Sequence, residues 1–182
     1  MEISDPKAIR ALAHPLRLDL LELLLAIGPA TAATCGRALG MSQASCSFHL
    51  RQLGKYGFVE DAGPGPDRRE RQWRLPAGRR EIRVPGSTNA TVERELARVV
   101  LQRAFQAALD FTDRQDDDGQ QWRPGTISAI AVLSQDEADE LRRRFKDLLE
   151  PYLARHTEPL QPGHHHVRYL LTATPLAHPE EE

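Results

Sequence analysis

Between Thr31 and Leu75 the chain sets two helix signals and two strand signals at spacings that leave few folds open. Thr31 and Ser42 are placed to cap short helices running to about Leu39 and from Gln43 to Tyr56, since a hydroxyl at an N-cap accepts from a free N–H of the first turn. Gly40 lies between them, where a tight turn favours a residue that tolerates positive φ. Phe58-Val59-Glu60-Asp61 then reads as a strand, Gly63-Pro64-Gly65-Pro66-Asp67 as a turn cluster, and Arg71 to Leu75 as a second strand with alternating polarity.

Two short helices joined by a Gly-containing turn, followed by a hairpin, make a winged helix-turn-helix. The flanks supply its support. Asp5-Pro6 opens a first helix to about Ala13, and Pro15 opens a second that carries leucines on nearly every face to Ile27. A helix apolar all round has to be buried on several sides. Beyond residues 76–90, which hold two Pro and two Gly, a long helix is expected from about Thr91 to Phe111. Its apolar positions are Val92, Leu96, Val99, Val100, Ala104, Ala107, Ala108 and Phe111. Thr126 to Leu133 and Val167 to Thr174 read as a pair of strands. Ser134 and Glu137 form a capping box for a helix with Ala138, Leu141, Phe145, Leu148 and Tyr152 on one stripe, which Pro151 should kink or end. The fold class expected is mostly α with small β: a winged helix-turn-helix plus a C-terminal helix and two-strand extension.

Charge separates the halves. Residues 1–90 hold 13 Lys and Arg against 9 Asp and Glu, and residues 91–182 hold 11 against 17, within a chain of net charge −2. A basic first half suits a polyanionic partner there. The expected reading helix has Cys46, Leu50 and Leu53 on its core side, with His49 at the edge. The opposite side carries Ala44, Phe48, Arg51 and Lys55, flanked by Ser45, Ser47 and Gln52, with Ser42 and Gln43 at the first turn. Small residues admit a groove, Ser and Gln can bond base edges, Arg51 can grip guanine or phosphate, and Lys55 suits phosphate. A solvated face would carry similar charges, but Phe48 opposite the core needs an apolar partner such as a thymine methyl. Arg68, Arg69 and Arg71 in the hairpin would add phosphate or minor-groove contacts.

The runs ALAHPLRLDLLELL, ATAATCGRALGMSQASCSFHLRQLGKYGFVED and RERQWRL, over about residues 5–76, resemble the winged helix-turn-helix of ArsR-type bacterial repressors. The later half resembles the extension of longer members. The resemblance implies a homodimer on double-stranded DNA with an inverted-repeat operator, and dimer contacts through the first helix and the helix after the wing. The expected division of the chain is a DNA-binding domain at 1–76, a connector at 77–90, a dimerisation helix with an α+β extension at 91–176, and a tail at 177–182.

Many ArsR-type proteins sense metals through Cys-x-Cys in the first helix of the motif, but those positions are Thr31 and Ala33 here. Cys35 and Cys46 read as small buried hydrophobes, the alternative being a thiol switch. His164-His165-His166 cannot all face one way in a strand, so even with His156 and His178 nearby in sequence no metal site is expected. Trp122, Phe145, Tyr152 and Tyr169 could line a pocket for a small-molecule effector, but a structural or dimer-bracing role fits the extension better. No cofactor is expected. The chain shows no phosphate-cradling loop, nucleophile elbow or acid-base pair at a recognisable spacing, so an enzyme is not expected; Asp116 to Asp118 read as a solvated loop. No apolar run is long enough to span a bilayer and no leader is read at the N-terminus, so the expected location is the cytoplasm.

Overall fold

A computed structural model describes residues 5–65, 67, 70–76, 90–113, 125–153, 155 and 160–176. Arg68, Arg69, most of the connector, Asp116–Asp118, Trp122, His156 and the tail from 177 lie outside the described residues. The chain divides into two units, Met1–Ala108 and Leu109–Glu182.

The first unit begins with helices α1 (Pro6–Leu12) and α2 (Pro15–Ile27). The Asp5 carboxylate accepts from the Lys7 backbone N–H at 2.9 Å, and a proline starts each helix, where its missing N–H is of no consequence. Helix α2 is central: Leu16, Leu18, Leu20 and Leu24 are buried on different sides of it, and it ends at Gly28 with φ 77°. Helices α3 (Ala32–Leu39) and α4 (Gln43–Lys55) follow, joined through Gly40 at φ 64°. The turn is tight enough that a Cβ on Gly36 would lie 2.7 Å from the Met41 carbonyl oxygen.

A three-stranded antiparallel sheet runs β1 (Ala30–Thr31), β3 (Arg71–Arg74), β2 (Glu60–Pro64), with Ala30 opposite Trp73 and Glu60 opposite Arg74. Two details differ from the expected hairpin. The two-residue β1 adds a third strand, and β2 begins at Glu60 because Phe58 and Val59 are buried in the core instead of pairing. The wing packs closely on α4 at Gly54. A Cβ on Gly54 would lie 2.7 Å from Trp73 Cζ3, so the indole rests on bare helix backbone.

Helix α5 (Ala90–Asp113) buries Val92, Leu96 and Ala104, and the Arg103 guanidinium bridges Asp19 and Glu22 of α2. On its other side Phe105 and Leu109 are exposed, at 62% and 56%.

In the second unit α6 (Gln135–Leu153) opens on the expected capping box: the Ser134 N–H donates to Glu137 Oε2 at 2.7 Å, and the Glu137 N–H donates to Ser134 Oγ at 3.3 Å. Pro151 sits in its last turn without ending it. The two strands expected at 126–133 and 167–174 are not formed; these residues lie in neither strand nor helix. The reason is that a strand needs both a ladder partner and a covered face. Ile127 and Val132 are 97% and 101% exposed, and no described residue of this unit is buried. Among the described residues no helix is long and apolar enough to cross a membrane.

Candidate nucleic-acid interface

Ser42 starts the reading helix by accepting from the Ser45 N–H at 3.1 Å, so its hydroxyl oxygen is engaged in capping. Cys46, Leu50 and Leu53 are fully buried, which fixes the rotation of α4. Gln43, Ala44, Phe48, Arg51 and Lys55 are consequently exposed, and Ser45, Ser47 and Gln52 are half-buried at the margins. Phe48 is 52% exposed and has found a partial partner, the His49 ring lying edge-on at 5.2 Å.

Between Arg51 and the wing lies a cleft of about 340 Å³. Gln43, Ser47 and Arg51 line it from the helix, Glu70, Arg71 and Trp73 from the wing, and Ala32 from α3. Gln43 is held in it, its Nε2 donating to Glu70 Oε1 at 3.1 Å. Arg71 is also held: its Nε lies 2.9 Å from Asp61 Oδ2, with the guanidinium 5.6 Å from the centre of the Trp73 ring. Exposed ion pairs of this kind are worth about 0–1 kcal/mol, so Arg71 can leave Asp61 for a phosphate at small loss. Lys55 Nζ lies 5.7 Å from the Tyr56 ring and keeps an exposed charge at the helix end.

Behind this face is a cluster that the sequence reading left aside. The His14 ring lies against His49, their centres 4.4 Å apart and the planes tilted by 41°. Among the described residues the buried His14 Nδ1, His49 Nδ1 and Arg17 Nε have no hydrogen-bond partner. Burial, and then the Arg17 charge, lower the His14 pKa; burial, then His14 and Arg17, lower that of His49. Glu70 was also missed. It stands inside the basic run RRERQW, and an acid in such a run was the available signal.

Cys35 and Cys46 are both fully buried in the packing of α3 on α4. Burial, with Cys46 beside it, pushes the Cys35 thiol up to about 11, and burial raises Cys46 too. Thiolate is the reactive form, so this environment supports packing over a thiol switch. His164, His165 and His166 are exposed, and among the described residues no group of three or more His, Cys, Asp or Glu is placed to hold a metal ion. Phe145 and Tyr169 meet edge to face at 6.4 Å, while Tyr152 is exposed under the Arg155 guanidinium.

A family model described as a helix-turn-helix domain matches residues 12–62. No curated protein matches significantly. Among solved structures, the chain is similar to the homodimeric winged helix-turn-helix DNA-binding domain of Mb0332 from Mycobacterium bovis, a possible ArsR-family regulator. Identity there is 22%, over 65% of this chain and 85% of that one, with a TM-score of 0.34. ZitR from Lactococcus lactis, a double mutant in apo form, is 14% identical over 77% and 83%, at 0.34. A MarR point mutant from E. coli, in complex with operator DNA, is 18% identical over 79% and 86%, also at 0.34. With residues 12–62 matched and the wing formed by β2 and β3, the chain carries a winged helix-turn-helix fold.

Proposed function

We propose that the protein is a homodimeric, ArsR-type repressor that reads an inverted-repeat operator with the outer face of α4 and holds the flanking backbone with its wing. The observation that carries this is the two-sidedness of α4. Its core side is wholly buried, and its other side exposes Gln43, Ala44, Phe48, Arg51 and Lys55 beside a cleft shared with the wing. Ser42, Ser45, Ser47 and Gln52 border that face, Arg71 extends it, and Arg68 and Arg69, close to Arg71 in sequence, are proposed to add phosphate or minor-groove contacts. An enzymatic role has no matching constellation in the sequence, and a cytoplasmic location follows from the proposed work on DNA.

Of the two helices the ArsR resemblance assigns to dimer contacts, α5 has the open apolar face. In α1 the apolar residues Ala8, Ile9, Ala11 and Leu12 are all buried within their own chain. The exposed apolar residues of the second unit support a bracing role for the extension, with a second copy covering them. For an effector pocket the support is weaker, since Tyr152 and Tyr169 both lie open.

The test is the double variant Arg51→Ala/Lys55→Ala on a promoter fragment. Binding is expected to fall at least tenfold with the dimer intact. The slope of log affinity against log salt should shrink by about 0.9 for each phosphate contact removed. Retention of wild-type affinity and slope would mean that another surface binds DNA.

A further inference from the structure

A carboxylate in a surface meant for phosphates weakens binding to every DNA sequence alike, because it repels the backbone. Glu70 is such a group: it lines the cleft together with Arg51 and Arg71 and spends its Oε1 on the side-chain amide of Gln43. We infer that Glu70 is a specificity-determining positioning residue, clamping Gln43 to read adenine in each half-site while its charge lowers the affinity for DNA of any sequence. The inference rests on the proposal that α4 reads bases.

The chemistry follows from what a primary amide can offer. A glutamine pairs with adenine through two bonds, one N–H donated to N7 and the oxygen accepting from the N6 amino group. Nε2 has two hydrogens. With one donated to Glu70, the other and Oε1 remain, which is the set adenine requires. The clamp also removes freedom that an exposed, long side chain would otherwise lose on binding. Gln43 is the first residue of α4, at the end of a reading helix that contacts bases. Glu70 is itself anchored independently of its side chain: its carbonyl accepts from the Gly65 N–H at 2.6 Å and its N–H donates to the Asp67 carbonyl at 2.8 Å. Truncating the side chain therefore leaves the backbone bonds of this turn in place.

The experiment selects bound sequences from random duplex DNA with wild type, Glu70→Ala, Glu70→Gln and Gln43→Ala, then measures affinities for the selected duplex and a scrambled one. Wild type is expected to enrich adenine at one position of each half-site. Glu70→Ala and Gln43→Ala should both relax that position at least fivefold, and Glu70→Ala should bind the scrambled duplex more tightly. Glu70→Gln keeps an acceptor without the charge, so adenine should stay enriched while scrambled binding rises. If Glu70→Ala selects the wild-type sequence with an unchanged ratio of selected to scrambled affinity, the clamp is overturned although DNA reading stands. It is likewise overturned if Gln43→Ala leaves every position unchanged. If wild type enriches no sequence, base reading and clamp fall together.

Discussion

His49 stands where α4 turns from its exposed side to its core side, touching Phe48 on one flank and His14 on the other. Burial lowers both rings most; Arg17 lowers both further, Asp19 raises His14, and Tyr56 acts on Arg17 in turn. Both rings therefore titrate below the ordinary 6.5. Above that value both folded and unfolded chains hold neutral rings and lose nothing. As pH falls below it, the unfolded chain takes up protons that the folded chain does not. Stability therefore declines until the depressed folded values are reached, and levels off beneath them. Melting temperature should be level from pH 8 to 7 and fall below 6.5, ahead of the range in which carboxylates titrate. His49→Gln should make that fall shallower; an unchanged profile would show that the pair is not its source. At this scale the sequence was partly legible. Helical geometry put Phe48 outside and His49 at the edge, but His14 lies 35 positions away and nothing local joins the two. Glu70 was obscured by the arginines around it.

Gly54 sets how closely the wing approaches α4. Alanine is favoured over glycine inside a helix by about 0.8–1.0 kcal/mol. Here its methyl would meet the Trp73 ring at 2.7 Å, and the indole would have to shift. Overpacking of this kind costs about 1–3 kcal/mol, so Gly54→Ala is expected to be destabilising by about 1 kcal/mol net and to weaken DNA binding further by moving the wing. A rise in melting temperature would show that the contact is looser. Helix positions were legible because caps and glycine turns are local: Asp5, Thr31, Ser42 and Ser134 all accept the expected N–H. Strand bounds were not. Phe58 and Val59 have strand-forming side chains, yet the core claims them, and β1 has only two residues in which to show a pattern. The apolar residues at 127–133 have no cover among the described residues, so no ladder forms there.

For the whole molecule the open question is what covers the apolar side of α5 and the second unit. If a second copy does, Phe105→Glu/Leu109→Glu should sediment at the mass of one chain where wild type sediments at two. Operator affinity should drop at least tenfold, because a single head grips only a half-site. A double variant that stays at twice the chain mass would place the interface elsewhere. Trp73 offers a way to follow such events. Its indole is wedged between the bare backbone at Gly54 and the guanidinium of Arg71, and the chain has only two tryptophans. With Trp122 replaced, its emission becomes an intrinsic optical gauge: an arginine drawn away to DNA, or a wing lifted off the helix, changes the fluorophore's surroundings without any attached dye.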